Sequence, residues 1–389
     1  MKKKICVVTG SRAEYGLMRN TLNEIASSSL LDLALLVTGS HLSREFGYTI
    51  DEIKRDGFDV TETIEMLLSS DSPSSIGKSV GLGVIGFTDA LKRLSPDIML
   101  IVGDRYEIFA AVTAAMVLNI PIAHISGGEI TEGAIDEQIR HAITKMSHIH
   151  FTTAEENSIK VKQMGEEAWR VHTVGGLWVD NIKSLKKISR DSMRKKLGIQ
   201  LNHPTILVTY HSVTLQLEEV DRHIDNLLNA LDETEAEIIF TYPNADAGGR
   251  VIISKINEFI ANRPNAKAVK SLGSLLYHNL LSYVDLVVGN SSSGMVETQS
   301  FKLPAVNIGD RQKGRLVTAN IISVADDKDA ILKAIRKGLS RKFKNSIKDM
   351  ANPYEKGGAA KKIVQVLIHI PSKNELLIKK FVSISKDNI

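Results

Sequence analysis

Acidic residues directly follow the apolar segments in the first half of the sequence. Asp104 and Arg105 come after the segment 98–102, and Glu129 and Asp136 follow the next apolar segment. Carboxylates that share one site raise one another's pKa, which is unfavourable unless a reaction uses them. The pattern therefore indicates acid–base chemistry, with an ion pair between Asp104 and Arg105 as the structural alternative.

The second half of the sequence contains a run of small residues that suits a bound diphosphate. This run reads Gly-Asn-Ser-Ser-Ser-Gly and lies between an apolar segment and a predicted helix. Free N–H groups at the start of a helix attract anions, and serine hydroxyls add donors. The candidate ligands are Ser291, Ser292, Ser293 and Gly294, although the same composition is common in ordinary loops.

Charged residues near these segments extend the candidate anion site. Glu297, about one turn into the predicted helix, could accept hydrogen bonds from ribose hydroxyls. Arg311 and Arg315 add cations at the same end of the predicted sheet. Arg12 follows the first apolar segment, where it could donate two hydrogen bonds to a phosphate or simply lie on the surface of a capped helix.

Two histidines and an asparagine occupy similar positions. His41, His211 and Asn244 each lie shortly after an apolar segment. Open parallel sheets bind ligands at the carboxyl ends of their strands, which makes all three residues candidates. A single histidine is more often structural than catalytic, so position alone does not decide their role.

Short apolar segments alternate with amphipathic stretches, which predicts parallel sheets covered by helices on both faces. The predicted strands are 5–9, 33–37, 98–102, 120–124, 205–209, 237–240, 286–288 and 305–308. The predicted helices are 14–27, 76–94, 105–118, 217–231, 248–262 and 327–340. We therefore expect an α/β protein with two doubly wound domains that face each other across a cleft.

The domain boundary is expected near residue 180. It gives an N-terminal domain at 1–180 and a C-terminal domain at 181–356, with a basic, polar hinge at 183–194. The last helix, within 357–389, is expected to pack back on the first domain. The lysine-rich tail after Pro371 is expected to fray.

Composition excludes several classes of protein. A net charge of +4 over 389 residues gives no reason to expect a nucleic-acid partner. Cys6 is the single cysteine, so neither an internal disulfide nor a cysteine-based zinc site can form. The sequence contains no apolar run long enough for a membrane span or a signal peptide. We expect a cytoplasmic protein with no membrane partner.

One motif points to a nucleotide but lacks the required context. Gly81, Gly83 and Gly86 match G-x-G-x-x-G, which binds dinucleotides only directly after a strand and at the start of a helix. Here the motif lies inside an amphipathic stretch. Close packing between helices is therefore the favoured interpretation of these glycines.

Six motifs together resemble one enzyme family. They are Gly103-Asp104-Arg105, Gly127-Gly128-Glu129, Ile135-Asp136, Ile139-Arg140-His141-Ala142-Ile143-Thr144-Lys145, the run 289–294 and Arg311-Gln312. In this order, within residues 4 to about 360, they are similar to the hydrolysing UDP-N-acetylglucosamine (UDP-GlcNAc) 2-epimerases.

The resemblance implies a GT-B-like fold of two Rossmann-type domains around a deep cleft. It implies conversion of UDP-GlcNAc and water to UDP and N-acetylmannosamine, the first step of sialic acid synthesis. UDP leaves by anti elimination to a 2-acetamidoglucal, and water then adds. The resemblance implies no cofactor and no metal, a UDP-sugar as the partner, and a homodimer or homotetramer.

The resemblance also assigns roles to individual residues. Asp104 and Asp136 match acid–base carboxylates, and which of them removes the C2 proton is left open. His211 matches a histidine that contacts the diphosphate. Nucleotide contacts are implied for Arg12, Asn244, Ser291, Ser292, Glu297 and Arg311. Positions near the sugar or phosphate are implied for His41 and Arg105.

One departure from the family pattern bears on mechanism and substrate. Ser126 stands where several relatives have a glutamate that is a proposed catalytic residue. Either Glu129, Asp136 or Glu137 substitutes for it, or the mechanism uses fewer carboxylates. The change also suggests another sugar: UDP- or GDP-linked N,N′-diacetylbacillosamine, a precursor of legionaminic acid, is the alternative substrate. The motifs are also compatible with a non-hydrolysing epimerase or with a non-catalytic nucleotide-sugar binding protein.

Overall fold

Two parallel sheets dominate the structure. The computed structural model describes residues 2–201, 204–354 and 357–383. In the N-terminal sheet the strands lie in the order β3-β2-β1-β4-β5-β6-β7. They are β1 Lys3–Thr9, β2 Leu31–Thr38, β3 Val60–Ile64, β4 Ile98–Val102, β5 Ile122–Ile125, β6 Ile149–Thr152 and β7 Val171–Thr173.

The C-terminal sheet has the related order β10-β9-β8-β11-β12-β13. Its strands are β8 Thr205–Thr209, β9 Glu237–Thr241, β10 Ala266–Val269, β11 Leu286–Gly289, β12 Ala305–Ile308 and β13 Ile321–Val324. This is the strand order of a doubly wound fold, in which the order reverses beside the first strand and opens a crevice there. The expected fold class, with two Rossmann-type domains, is confirmed.

Helices cover both faces of each sheet. Those associated with the N-terminal sheet are α1 Arg12–Ser27, α2 Ile50–Arg55, α3 Pro73–Leu94, α4 Tyr106–Val117, α5 Asp136–Met146, α6 Glu155–Gln163 and α7 Leu177–Lys183. The later helices are α8 Arg190–Leu197, α9 Val220–Asp232, α10 Gly249–Ala261, α11 Gly273–Leu281, α12 Ser292–Val296, α13 Lys328–Leu339, α14 Arg341–Ser346, α15 Ala359–His369 and α16 Lys373–Leu377. Within the part of the chain that the structure describes, every helix is too short or too polar to span a bilayer.

Strand β1 shows why these apolar segments become central strands. Ile5 and Val7 belong to the cluster on the α1 side, whereas Cys6 and Val8 belong to the cluster on the α3 and α4 side. All four side chains are fully buried. A strand covered on both faces needs apolar residues at every position, which the sequence shows as a continuous apolar run.

All eight predicted strands and six predicted helices are present, with ends that differ by a few residues. The predictions missed β3, β6, β7, β10 and β13. Four of these, β3, β7, β10 and β13, are edge strands, and each includes an exposed side chain. The central strands β4, β5, β8, β11 and β12 are buried at every position. Strand β6 reads Ile-His-Phe-Thr, and its buried His150 is held by Glu166 rather than by apolar packing alone.

The C-terminal segment returns to the N-terminal domain, as expected, through α15, which packs against α1. The expectation of a fraying tail was wrong for residues 372–383. Arg170 donates hydrogen bonds to the carbonyl oxygens of Leu376 and Ile378 at 3.0 and 2.8 Å. Lys379 pairs with the buried Glu166 at 2.8 Å. These contacts fix the tail against the N-terminal domain. The rest of the predicted tail, 384–389, lies outside the described residues.

The G-x-G-x-x-G run lies inside α3, where its glycines allow close packing. A Cβ atom on Gly83 would lie 2.9 Å from Ala110 Cβ and 2.9 Å from Met66 Cε. The same atom on Gly81 would meet nothing within 4 Å. Gly83 therefore serves the contact between α3 and α4, and the dinucleotide interpretation is unsupported.

Two alanine substitutions in α3 separate these roles. We expect Gly83→Ala to lower the free energy of unfolding by about 1–3 kcal/mol, because the added methyl group has no room. Gly81→Ala, the matched control, should be neutral or raise it by up to about 1 kcal/mol through helix propensity. Urea unfolding measures both. Equal stability of the two variants would contradict the packing role.

Candidate active site

The carboxyl ends of both sheets open into one cavity of about 290 Å³ between the domains. Most residues predicted from the sequence line it, although they are far apart along the chain. Those in the lining are Arg12, Asp104, Arg105, Glu129, Asp136, His211, Asn244, Ser291, Ser292, Ser293, Glu297, Arg311 and Arg315. The packing of the two doubly wound domains against each other thus brings the predicted acid–base and anion-binding residues together.

Two predicted site residues do not line this cavity. His41 is fully buried, with its ring nitrogens 3.0 Å from Thr9 Oγ1 and 2.7 Å from Thr49 Oγ1. Burial lowers the pKa of His41 to about 4, so the neutral ring is a structural link between loops. Gly294 lies within the first turn of α12 and faces Val287 of the sheet. The cavity lining therefore does not support the ligand contacts predicted for His41 and Gly294, which stay predictions.

A buried arginine organises the carboxylates of the N-terminal domain. Arg140, only 1% exposed, pairs with Asp104 and with Glu137, the latter at 2.9 Å. It also donates to the carbonyl oxygen of Glu129 at 2.9 Å and to Thr131 Oγ1 at 2.8 Å. Asp104 is therefore ion-paired, and Arg140 also holds the loop that carries Glu129.

Asp136, by contrast, has no ion-pair partner among the residues that the structure describes. Burial and the nearby charge of Asp104 raise the pKa of Asp136 to about 6, although the charge of Arg311 lowers it. A carboxyl group with a pKa near neutrality can both accept and return a proton at physiological pH. Asp136 is thus the acid–base candidate that the sequence could not separate from Asp104.

Two of the ion pairs between the domains involve residues that line the cavity. Glu129 accepts from Arg315 at 2.6 Å and from Thr153 at 3.0 Å. Arg105 donates to both carboxylate oxygens of Glu107 at 3.1 Å and to Asp246 of the C-terminal domain at 3.0 Å. The expected Asp104–Arg105 ion pair is therefore replaced by pairs to other partners.

His211 is held in one orientation at the wall of the cavity. The backbone N–H of His211 donates to Asn290 Oδ1 at 2.8 Å. The ring Nδ1 accepts a hydrogen bond from the backbone N–H of Asn244 at 3.5 Å. Burial, together with the charge of Arg311, lowers the pKa of His211 to about 3, so the ring is neutral. Because Nδ1 is an acceptor, the proton lies on Nε2, which can donate to a ligand.

Glu297 belongs to a hydrogen-bonded group of the C-terminal domain. Ser293 donates to Glu297 Oε2 at 2.5 Å, and Tyr277 contacts the same serine hydroxyl. His278 Nε2 lies 3.5 Å from Glu297 Oε1. The carboxylate that was expected to meet a ribose is thereby held at the cavity wall. Tyr277 and His278 were missed because neither follows a predicted strand directly.

Two arginines of the cavity remain without a carboxylate partner within the described residues. Arg12 donates to the carbonyl oxygen of Tyr242 at 2.6 Å, and burial lowers its pKa to about 10. Arg311 donates to the carbonyl oxygen of Asn290 at 3.1 Å. Neither forms an ion pair, whereas Arg105, Arg140 and Arg315 all do. One free cation from each domain therefore faces the cavity, where a dianionic group would neutralise both.

A comparison with protein families gives the relationship of the chain. The family model for UDP-N-acetylglucosamine 2-epimerase matches residues 23–368. The chain belongs to this family. The family resemblance expected from the sequence is thus confirmed.

Three relatives match almost the whole length of this chain. It is 40% identical to the hydrolysing GDP/UDP-N,N′-diacetylbacillosamine 2-epimerase of Campylobacter jejuni, over 98% of this chain and 100% of that protein. It is 37% identical to the hydrolysing UDP-N,N′-diacetylbacillosamine 2-epimerase of Legionella pneumophila, over 97% and 99%. It is 36% identical to the polysialic acid biosynthesis protein P7 of Escherichia coli, over 96% of each.

Solved structures of the family share the fold. The UDP-GlcNAc 2-epimerase of Neisseria meningitidis bound to UDP-GlcNAc matches with a TM-score of 0.78 and 19% identity, over 94% of this chain and all of that chain. A putative UDP-GlcNAc 2-epimerase of Listeria monocytogenes matches with the same TM-score and 17% identity, over 98% and 100%. At these identities the likeness concerns the two-domain fold.

The unpaired Asp136 predicts a pH-dependent cost in stability. Its folded-state pKa, about 6, lies above the usual value of about 4 for an unfolded aspartate. Ionisation is therefore harder in the folded state, so the cost is absent below pH 4, grows from pH 4 to 6 and is complete above pH 6. We expect Asp136→Asn to raise the free energy of unfolding at pH 7.5 by up to about 2 kcal/mol and to leave it unchanged near pH 4.

Urea unfolding at both pH values measures this difference. Glu132→Gln is the matched control, since Glu132 lies on the same loop with its side chain 52% exposed. A destabilised Asp136→Asn protein at pH 7.5 would show that the carboxylate forms favourable contacts and would contradict the account.

Proposed function

We propose that the protein is a hydrolysing 2-epimerase of a nucleoside-diphosphate-linked N,N′-diacetylbacillosamine. The observation that carries the proposal is the division of charges in the cavity: within the described residues, Arg12 and Arg311 lack carboxylate partners, and Asp136 lacks a cation. Two free cations suit a diphosphate leaving group, and one free carboxyl group suits proton removal from the neighbouring sugar.

The reaction has two stages that balance without a cofactor. A base takes the C2 proton, the C2–H electron pair forms the C1–C2 double bond, and the C1–O bond breaks with its electrons on the diphosphate. Water then gives its hydroxyl group to C1, and a proton returns to C2 on the opposite face. The products are the nucleoside diphosphate and the free sugar with inverted configuration at C2.

Asp136 is the proposed base for the C2 proton. Asp104 and Glu129 are poorer candidates because Arg140 and Arg315 already neutralise them. Ionised Asp104 has a second effect: its negative charge raises the proton affinity of Asp136. Asp104 and Glu129 remain candidates for activating the water, since both line the same cavity.

Departure of the diphosphate needs groups that stabilise negative charge. Arg12 and Arg311 are cations whose donors lie at the cavity, and the neutral His211 can donate from Nε2. Fixed donors of this kind stabilise a leaving anion without reorganising when the bond breaks. Ser291 and Ser292, beside α12, and Asn244 complete the proposed nucleotide contacts, with Glu297 for the ribose.

The relatives favour diacetylbacillosamine over UDP-GlcNAc, the substrate first expected from the sequence. Two of the three relatives above are named for that sugar, at 40% and 37% identity. Ser126 lines the cavity beside Glu129, and a serine leaves more room than a glutamate for a 4-acetamido group. The product would be the corresponding 2,4-diacetamido sugar with the manno configuration, an intermediate of legionaminic acid synthesis.

A second candidate is the conversion of UDP-GlcNAc to N-acetylmannosamine for sialic acid synthesis. The 36% identity with the polysialic acid protein P7 of Escherichia coli favours it. The cytoplasmic location stays a prediction from composition, and the homodimer or homotetramer stays a prediction from the resemblance.

Turnover of three substrates tests the proposal. We expect UDP- or GDP-N,N′-diacetylbacillosamine to give a kcat/KM at least about 10-fold above that of UDP-GlcNAc, measured by release of UDP or GDP, because one buried functional group commonly discriminates by this amount. Ser126→Glu, which refills the space, should lower the rate with the diacetylated sugar more than the rate with UDP-GlcNAc. Preference for UDP-GlcNAc would support the sialic acid step, and binding without turnover of any substrate would support a binding protein.

A further inference from the structure

Glu14 is a buried acidic residue at the cavity. Only one of its two carboxyl oxygens has a structural role. It lies in the first turn of α1, is 5% exposed and lines the cavity. Its Oε2 accepts from the N–H groups of Gly10 and Ser11 at 2.7 and 3.0 Å, which completes the capping box of α1. The other oxygen is free for another function.

Glu14 Oε1 is buried and has no hydrogen-bond partner in the described part of the chain. A buried ionised carboxylate with an unsatisfied oxygen is unfavourable unless a cation or donor supplies the missing contact. Arg105, the nearby cation, donates to Glu107 and Asp246 instead. The protonated form of Glu14 is therefore favoured.

Burial and two neighbouring carboxylates also favour the protonated form of Glu14. The groups that face it are Glu107 in the first turn of α4, Arg105 at the N-cap of α4, Asp104 after β4, and the N–H of Gly10. Burial is the largest influence, and with the charge of Glu107 it raises the pKa of Glu14 to about 8, against the opposing charge of Arg105. Glu14 is thus mostly protonated at neutral pH and carries an O–H donor that has no acceptor among the described residues.

We propose that protonated Glu14 donates a hydrogen bond to a phosphate oxygen of the bound nucleoside diphosphate. The inference rests on the proposed function, which puts this diphosphate beside Arg12, two residues away on the same turn. An ionised Glu14 would repel the diphosphate, whereas the neutral acid adds a donor without adding charge. Nucleotide binding is therefore linked to one proton on the enzyme.

The linkage has a definite sign. Affinity for the nucleotide should be constant below the pKa of Glu14 and should fall above it, because binding then requires uptake of a proton. For one linked proton the dissociation constant approaches a tenfold rise per pH unit. Between pH 7.5 and 9.0 we expect the affinity of the wild-type protein for UDP to fall by roughly tenfold.

Isothermal titration with UDP, and with GDP in parallel, tests the inference at pH 7.5, 8.5 and 9.0. In Glu14→Gln the amide keeps an oxygen for the capping box and keeps a donor that does not titrate. In this variant the fall in UDP affinity between pH 7.5 and 9.0 should be at least fivefold smaller than in the wild-type protein. Titration of the UDP ring affects all proteins equally, and Glu24→Gln on the same helix α1 is the control that should behave as wild type.

A second measurement needs only the wild-type protein, and it tests the inference even if Glu14→Gln fails to fold. Wild-type titrations at pH 8.5 in two buffers of different ionisation enthalpy report proton exchange, and we expect net uptake of about half a proton or more on binding UDP. No uptake, or equal pH dependence in wild type and Glu14→Gln, would overturn the role of Glu14 while leaving the proposed function intact. Failure of both UDP and GDP to bind the wild-type protein would overturn the proposed function and this inference together.

Discussion

Neutralisation of buried arginines by carboxylates decides which charged groups of the cleft remain available for a substrate. Arg140 and Arg105 are almost completely buried and must be paired, since a buried unpaired charge is strongly destabilising. Asp104, Glu137, Glu107 and Asp246 satisfy them, and the last of these pairs joins the two domains. Among the groups left over are two cations and the carboxyl group of Asp136, which are the groups that elimination of a diphosphate needs.

The path of the chain explains why this set forms at one place. Each functional residue follows the carboxyl end of a parallel strand, and the two sheets present those ends to each other. Arg12 and Asp136 come from the first domain and Arg311 from the second. Because the loops 129–135 and 310–315 also touch, with Glu132 N–H donating to the Lys313 carbonyl oxygen at 3.1 Å, the acid–base and anion-binding groups are held together by backbone contacts as well as by charge.

The sequence predicts the fold and the residues that line the cavity better than it predicts the hydrogen-bond and ion-pair partners of each residue. Apolar runs identify central strands, and residues after them line the cavity, because both facts follow from local pattern and from the parallel topology. The sequence does not distinguish Asp104 from Asp136, since only the packed structure shows that Arg140 turns toward one of them. His41 illustrates the same point. Its position after β2 resembles that of a ligand-binding residue, but both ring nitrogens form hydrogen bonds with the side chains of Thr9 and Thr49.

Transfer of the C2 proton to Asp136 is the central claim of this account. A proton NMR time course in D2O with UDP-N,N′-diacetylbacillosamine, for the wild-type protein and Asp136→Asn, tests it most directly. The account predicts release of UDP together with a free sugar deuterated at C2 by the wild-type protein, and a loss of turnover of about 10²–10⁴-fold in the variant. UDP release with hydrogen retained at C2, or a variant as active as wild type, would contradict it.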